Sequence, residues 1–224
     1  MKIGILIAAQ RELKAFLEAG SEITEIMVGV RPMYRTEMYG HEVYAVQTGY
    51  GEIDAAAGTQ LLITYTGCEI VLNFGVVGAL VPELRVEDLF VVRRALHYDY
   101  DVSQLDPVKK YQYEEFEDEF IPLDEGLIQL VTEEMPEIRQ VSVASGDKFV
   151  VDPEEKRRLA SLGCQICEME IAAIARICFR NQVRCLSIKC ISDTFDGDGG
   201  DYNKNVIRSA SVAFQVIREV LKKL

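Results

Sequence analysis

Two glutamates separated by one methionine, Glu168-Met169-Glu170, lead directly into a small apolar segment at residues 171–175. Carboxylates act as general acids and bases and accept hydrogen bonds from ligand hydroxyl groups. Side chains two residues apart share a face of a strand, whereas on a helix they point away from each other. Acids are rarely buried without a partner, so the pair indicates either a ligand site or a first helical turn whose acids suit the helix dipole. On these residues alone, both interpretations stay open.

Other residues able to do chemistry come directly after predicted strands. Turns in an open α/β sheet bind ligands in the crevice beyond the carboxyl ends of the strands. Glycines there allow the backbone to approach a ligand closely, and acids can transfer protons. We therefore predict an acidic, metal-free pocket suited to an uncharged polar ligand. The segments concerned are Glu12, residues 49–51, 75–78 and 145–147, and Ser192-Asp193.

The hydrophobic pattern alternates between strands and helices. Continuous apolar runs predict buried strands, alanine-rich and amphipathic segments predict helices, and Asp152-Pro153-Glu154-Glu155 is a typical helix start. The sequence thus predicts an α/β fold, one domain over residues 1–224, with a central mixed, largely parallel sheet flanked by helices. Predicted strands lie at 2–9, 23–30, 34–39, 41–48, 69–74, 86–93, 140–144 and 183–191, and predicted helices from about 9, 52 to 66, from 152 and 203 to 224.

Residues 98–119 differ from the rest of the chain, because they are acidic and rich in aromatic residues and include the run 114–119. We expect an excursion from the compact body, either at a subunit contact or as a plain solvated loop. The residues do not decide between the two.

Composition excludes several classes of function. The net charge of −12 across 224 residues opposes binding to nucleic acid or anionic membranes. Apolar runs are too short to cross a bilayer. The first residues resemble the start of a signal peptide, but Gln10-Arg11-Glu12 interrupts their apolar region, so we expect a cytoplasmic protein. The six cysteines lie mostly in apolar segments, and the Cys164-x-x-Cys167 pair has no second pair, which favours buried structural thiols. No nucleotide phosphate-binding motif is present. We expect no metal and no cofactor.

Several motifs then occur in a characteristic order and carry a resemblance over nearly the whole chain. They are Met1-Lys2-Ile3-Gly4-Ile5 with Glu12-Leu13, Thr48-Gly49-Tyr50-Gly51, Gly75-x-x-Gly78, Val86-x-Asp88-Leu89, Tyr98-Asp99-Tyr100-Asp101-Val102, Ser145-Gly146-Asp147-x-Phe149, Glu168-Met169-Glu170 and Ile191-Ser192-Asp193. With them the chain resembles the bacterial 5′-methylthioadenosine/S-adenosylhomocysteine nucleosidases of the purine nucleoside phosphorylase superfamily. The resemblance implies a nucleoside phosphorylase-like three-layer fold, a purine nucleoside substrate and a homodimer.

The resemblance also implies catalytic roles. Glu12 would deprotonate the attacking water, and Asp193, helped by Ser192, would protonate N7 of the departing purine. Glu170 would bind the 2′- and 3′-hydroxyls of the ribose. The chemistry agrees with that of an inverting glycosidase, in which an acid protonates the leaving group and a base activates water on the opposite face.

Binding roles follow from the same resemblance. Phe149 would stack on the base, and the backbone of Val150 would read the purine edge. Tyr50 and Val102 would line the end that takes the 5′ substituent, with Val102 coming from a partner subunit. The remaining implied substrate-binding residues are Ala9, Val76, Val77, Gly78, Cys167, Glu168, Met169, Lys189, Ser192 and Tyr202.

Three positions depart from the family pattern near the attacking water. Serine or threonine is usual at Val76, alanine or cysteine at Val77, and arginine at Lys189. One alternative is a phosphorylase, which needs cationic partners for phosphate, although Asn73-Phe74-Gly75 lacks the arginine that precedes the glycine loop in phosphorylases. The other is a non-catalytic nucleoside-binding protein. The retained acids favour a nucleosidase that hydrolyses the N-glycosidic bond.

Overall fold

The fold is known from a computed structural model that describes residues 1–20, 22–29, 31–197 and 200–224. Strands and helices alternate along most of the chain. The strands are β1 (Lys2–Ile7), β2 (Thr24–Val28), β3 (Arg31–Met38), β4 (His41–Gln47), β5 (Ile70–Ala79), β6 (Leu89–His97), β7 (Phe120–Pro122), β8 (Arg139–Ser145), β9 (Ile166–Glu168) and β10 (Arg184–Asp193). The helices are α1 (Gln10–Ala19), α2 (Glu52–Thr66), α3 (Glu125–Glu134), α4 (Pro153–Ser161), α5 (Ile171–Arg180) and α6 (Gly200–Lys223).

A mixed sheet forms the centre of the molecule. Strands β4, β1, β5 and β10 pair in parallel in that order, and β3 and β2 extend the sheet in antiparallel pairing beyond β4. On its other side β5 pairs with β10, and β6, β8 and β9 follow β10 in that order. The last of them, β9, pairs with β5 again. The predicted α/β class is confirmed, and this part of the sheet closes into a ring.

Two groups of helices cover the sheet. Helix α6 packs against β5 and β10 and against α1, which also contacts β1. On the other side α2 and α5 pack together, α2 against β1 and β4 and α5 against β6 and β10. Within the core, the ring of Phe214 on α6 lies 4.8 Å from that of Phe74 on β5 and 5.9 Å from that of Phe16 on α1. Burial of such aromatic side chains is a main source of the free energy that stabilises the fold.

The strand predicted at 69–74 was expected to end at Gly75, but β5 continues to Ala79. Gly75 pairs with Lys189 of β10, and Gly78 pairs with both Asp193 of β10 and Cys167 of β9. Glycine weakens a strand but does not end it where neighbouring strands supply hydrogen bonds on both sides. The glycines therefore form part of the sheet, and their missing side chains leave room for acids.

The prediction that residues 98–119 leave the compact body was wrong. Tyr113 and Phe116 are buried in the main core, and the Arg176 guanidinium of α5 lies 3.6 Å from the centre of the Tyr113 ring. Aromatic side chains bury large apolar areas, so the segment folds back against α5 despite its charge. Most of its acids are exposed or partly exposed, while the largely buried Glu115 pairs with Arg176 and Arg180.

The six cysteines are buried and unpaired, as the apolar surroundings predicted. Within the described ranges, no helix combines the length and the hydropathy needed to cross a membrane. The predicted helix start at Asp152 is confirmed, since its carboxylate caps α4 by accepting from the Glu154 N–H.

Candidate active site

A cavity of about 430 Å³ opens where β1, β5, β9 and β10 end. It lies at the edge of the sheet that the strand-exit argument indicated. Two residues that sequence reasoning missed, Ala8 and Asn203, also line it. The predicted residues on its wall are Glu12, Tyr50, Val76, Val77, Gly78, Phe149, Cys167, Glu168, Met169, Glu170, Ser192, Asp193 and Tyr202.

Glu12 lies in the first turn of α1, and its carboxylate is held by two backbone amides. Oε2 accepts from the Ala9 N–H and Oε1 from the Val76 N–H, both at 2.9 Å. Gly75 leaves the space for this carboxylate, since a Cβ there would lie 2.7 Å from Oε1. Burial raises the pKa of Glu12, while the two amides and Lys189 oppose that rise. Ala9, predicted as a pocket residue, thus acts behind the wall by orienting Glu12.

Asp193 ends β10 on another side of the same cavity. The Ser192 hydroxyl donates to Oδ1 at 2.9 Å. A Cβ on Gly78 would lie only 2.8 Å from Oδ2, so the glycine leaves room for this carboxyl group. Burial raises the pKa of Asp193, which favours the protonated form that a general acid needs.

The Glu168-Met169-Glu170 segment lies wholly in neither a strand nor a helix, because it forms the junction between β9 and α5. Glu168 ends β9 and accepts from the Glu170 N–H at 3.2 Å and from the Ile171 N–H at 3.1 Å. Glu170 is the N-cap residue of α5, and its Oε1 accepts from the Gly51 N–H at 2.9 Å. Burial and the nearby Glu168 raise the pKa of Glu170 to about 8. One carboxylate thus anchors the junction and the other faces the cavity.

Lys189 lies behind the wall rather than on it. Its Nζ is 3.0 Å from Oε2 of Glu168, and both side chains are only 3% exposed. Burial alone would lower the pKa of Lys189, but Glu168, Glu170 and Glu12 raise it above its usual value. The ammonium therefore compensates three buried carboxylates at once, and through Glu168 it fixes the residues that place Glu170.

Three aromatic side chains from separate segments form the rim of the cavity. The hydroxyls of Tyr50 and Tyr202 are 3.4 Å apart, and the Phe149 ring meets the Tyr202 ring edge to face at 5.7 Å. Beside them Arg11 donates to the Asn203 side chain at 2.7 Å. An aromatic face next to hydroxyl, amide and guanidinium groups can stack on a flat ring and hydrogen-bond a polar extension.

Two predicted binding residues lie away from the main cavity. Val150 is buried beside a small extension of about 30 Å³ that shares Gly78, Phe149 and Asp193 with the cavity. Val102, half-buried in the segment after β6, lines neither space. Its contribution from a partner subunit stays a prediction.

Sequence reasoning also missed Lys156 and Glu52. Lys156 is completely buried, and its ammonium donates to the carbonyls of Thr194 and Phe195, each at 2.9 Å, which holds the segment that follows Asp193. Its signal is a lysine on the apolar face of α4, three residues before the buried Leu159. Glu52 resembles an ordinary first-turn acid in the sequence, but it is buried against α5.

The wall as a whole is acidic and apolar. Glu12, Asp193 and Glu170 face one space, and none of the described residues that line it is a lysine, arginine or histidine. Phosphate binding relies on cationic donors, so this arrangement is poorly suited to a phosphate co-substrate. It is suited to proton transfer at two positions and to recognition of hydroxyl groups.

Comparisons with known proteins agree with this chemistry. The family profile described as the phosphorylase superfamily matches residues 2–222. Relatives include an aminodeoxyfutalosine nucleosidase of Campylobacter jejuni, 28% identical over 231 residues and covering 100% of both chains, and a 5′-methylthioadenosine/S-adenosylhomocysteine nucleosidase of Tolumonas auensis, 30% identical over 200 residues and covering 86% of each. A solved structure of the Helicobacter pylori 5′-methylthioadenosine/S-adenosylhomocysteine nucleosidase with a pyrrolopyrimidine compound superposes with a TM-score of 0.93 at 27% identity, covering 100% of this chain and 99% of the other.

These matches span nearly the whole chain and confirm the family that the sequence motifs indicated. The chain belongs to the phosphorylase superfamily and, within it, to the N-glycosyl-hydrolysing nucleosidases similar to 5′-methylthioadenosine/S-adenosylhomocysteine nucleosidase.

Proposed function

We propose that this protein hydrolyses the N-glycosidic bond of an adenine nucleoside that carries a 5′ substituent, such as 5′-methylthioadenosine or S-adenosylhomocysteine. The products are adenine and the ribose derivative. One observation carries the proposal: the buried carboxyls of Glu12, Asp193 and Glu170 share a cavity, and no lysine, arginine or histidine is among the described residues that line its main space.

Each acid has a distinct task. Asp193 donates its proton to N7, so the base leaves as neutral adenine when the bond between C1′ and N9 breaks. Glu12 accepts a proton from the water whose oxygen forms the new bond to C1′. The raised pKa of Asp193 suits the donor. Burial raises the pKa of Glu12 as well, but the two amides that hold it and Lys189 favour its ionised form.

Glu170 binds the ribose. The Glu170 carboxyl group can bond two adjacent hydroxyls, and its ionised form, which Lys189 favours, stabilises the positive ribose of the transition state. Met169, on the same wall, offers an apolar surface under the sugar, and Phe149 offers a ring for the base.

The polar rim favours a second candidate substrate, aminodeoxyfutalosine, the nucleoside in the name of the C. jejuni relative. The Tyr50 and Tyr202 hydroxyls and the Arg11–Asn203 pair would favour a 5′ substituent with hydrogen-bonding groups over a plain alkylthio group. S-adenosylhomocysteine meets the same condition through its amino-acid end.

The test is product analysis with each of the three nucleosides, with and without inorganic phosphate. Release of free base without phosphate, abolished in Glu12→Gln and retained in Glu18→Gln on the exposed face of the same helix, is the expected result. A strict phosphate requirement that yields a sugar 1-phosphate would make the protein a phosphorylase. Tight adenine binding without turnover of any nucleoside would make it a binding protein.

A further inference from the structure

Two helix N-termini meet behind the ribose side of the cavity and exchange hydrogen bonds. Glu170, the N-cap residue of α5, accepts from the N–H of Gly51, the N-cap residue of α2, at 2.9 Å. In return Glu52, the first residue of α2, accepts from the N–H of Ala173 in the first turn of α5 at 2.6 Å. Each helix thus supplies a carboxylate to an unsatisfied amide at the start of the other.

Glu52 takes no part in the chemistry proposed above, yet it is only 6% exposed. The Ser145 hydroxyl donates to its Oε1 at 2.5 Å and accepts from the Ala172 N–H at 3.1 Å. Both carboxylate oxygens are therefore committed to the start of α5, one directly and one through Ser145. Burial, followed by the charge of Glu168, raises the pKa of Glu52 well above its usual range.

The backbone of Gly51 is fixed from a second side. The Glu52 N–H donates to Oδ1 of Asp147 at 2.7 Å, and a Cβ on Gly51 would lie 2.6 Å from the same oxygen. Gly51 also has a φ of 97°, a conformation that favours glycine. Since Gly51 and Glu52 are adjacent, the side-chain anchor of Glu52 determines where the Gly51 N–H points.

We propose that Glu52 is a positioning residue that acts through Gly51 to hold the Glu170 carboxylate in the orientation that recognises two ribose hydroxyls. The inference rests on the proposed function in one respect, that Glu170 binds the ribose. A merely structural Glu52 would stabilise the contact between α2 and α5 without affecting how the enzyme distinguishes ribose from deoxyribose. That difference makes the two roles separable.

The experiment compares kcat/KM for 5′-methylthioadenosine with kcat/KM for its 2′-deoxy analogue. Glu52→Met keeps a similar volume but removes both acceptors, and we expect it to reduce the preference for the ribonucleoside about tenfold, equivalent to about 1.4 kcal/mol. Glu52→Gln keeps an acceptor for the Ala173 N–H and should restore most of that preference. Glu125→Gln is the matched control, because Glu125 is the exposed first residue of α3.

An unchanged preference in a folded Glu52→Met variant would overturn the proposal, even if its melting temperature falls. Should that variant fail to fold, Ser145→Ala removes one of the two bonds to Glu52, and we expect a smaller shift in the same direction; no shift would count against the proposal. If the wild-type protein does not cleave 5′-methylthioadenosine, the comparison uses whichever of the other two nucleosides it cleaves, with its 2′-deoxy analogue. If it cleaves none of the three, the proposed function fails instead. Crystal structures of the wild type and Glu52→Gln or Glu52→Met then decide, since retention of the bond between Glu170 and Gly51 in the methionine variant would refute positioning.

Discussion

Replacing Lys189 with methionine removes the ammonium from a cluster of buried acids. The ion pair with Glu168 is 3.0 Å long and almost fully shielded from solvent, and Glu12 and Glu170 act on the same charge. Breaking a buried pair by removing one partner costs about 3–5 kcal/mol, because the other charge is left without compensation. We expect a loss of this size in the free energy of unfolding at pH 8.

The loss should depend on pH. Lys189 lowers the pKa of Glu12 and of Glu170, so without it both folded-state values rise further above those of the unfolded chain. A folded state that holds extra protons loses stability as pH rises, and the deficit of Lys189→Met should therefore be smaller at pH 5 than at pH 8. In the proposed mechanism Glu12 must be ionised to accept a proton, so the acid limb of kcat/KM should move to higher pH.

Denaturant unfolding at pH 5 and pH 8 measures the effect, with Lys189→Arg as the control that keeps the charge. In the double variant Lys189→Met, Glu168→Gln, the acid left unpaired is replaced by a neutral amide, so its cost should be clearly less than the sum of the single variants. Two results would refute the compensation argument. One is additive costs in the double variant. The other is a free energy of unfolding of Lys189→Met within 1 kcal/mol of the wild-type value at pH 8, where a loss of ~3–5 kcal/mol is expected.

Three further substitutions test the cavity. Gly78→Ala places a Cβ 2.8 Å from Oδ2 of Asp193, the proposed general acid. Misplacing such a group should lower kcat about 100-fold or more, while circular dichroism should show a folded protein. Asp193→Asn should abolish cleavage of purine nucleosides. It should slow cleavage of a riboside with a p-nitrophenolate leaving group much less, since that group departs without protonation. Equal losses of activity towards both substrates in a spectrophotometric assay would contradict the acid role. The pKa of Glu170, raised to about 8, makes the wild type less stable as pH rises from 5 to 8, so Glu170→Gln should flatten that dependence in urea titrations.

The sequence predicted the acids of the site better than it predicted their supports. Glu12 and Asp193 follow apolar runs that end at the same edge of the sheet, and a strand-exit argument finds them directly. The roles of Glu52 and Lys156 were not predicted, because each depends on a partner that is distant in the chain. Glu52 bonds Ala173, and Lys156 bonds Thr194. The local pattern of apolar and polar residues does not indicate such pairings.

The same difference between local pattern and distant pairing holds for the strands and helices. Long apolar strands and the capped helix at Asp152 were predicted, whereas the three-residue strands β7 and β9 and helix α3 were missed. A strand as short as Ile166–Glu168 has too few residues for a period-two pattern and exists because β5 and β8 lie on either side of it. The closed ring of strands likewise results from pairing, which composition and periodicity do not encode.

Gly78 joins the floor of the cavity to that ring, because its backbone pairs with β9 at Cys167 and with β10 at Asp193. The rim, by contrast, is built from Tyr50 in a connecting loop, Phe149 after β8 and Tyr202 near the start of α6. A substitution at Gly78 therefore adds a side chain inside the closed part of the sheet, whereas substitutions on the rim alter surfaces that the fold does not need. Under the proposed function, the rim can thus change to accept new 5′ substituents while the residues below it, which carry the bond-breaking chemistry, stay the same.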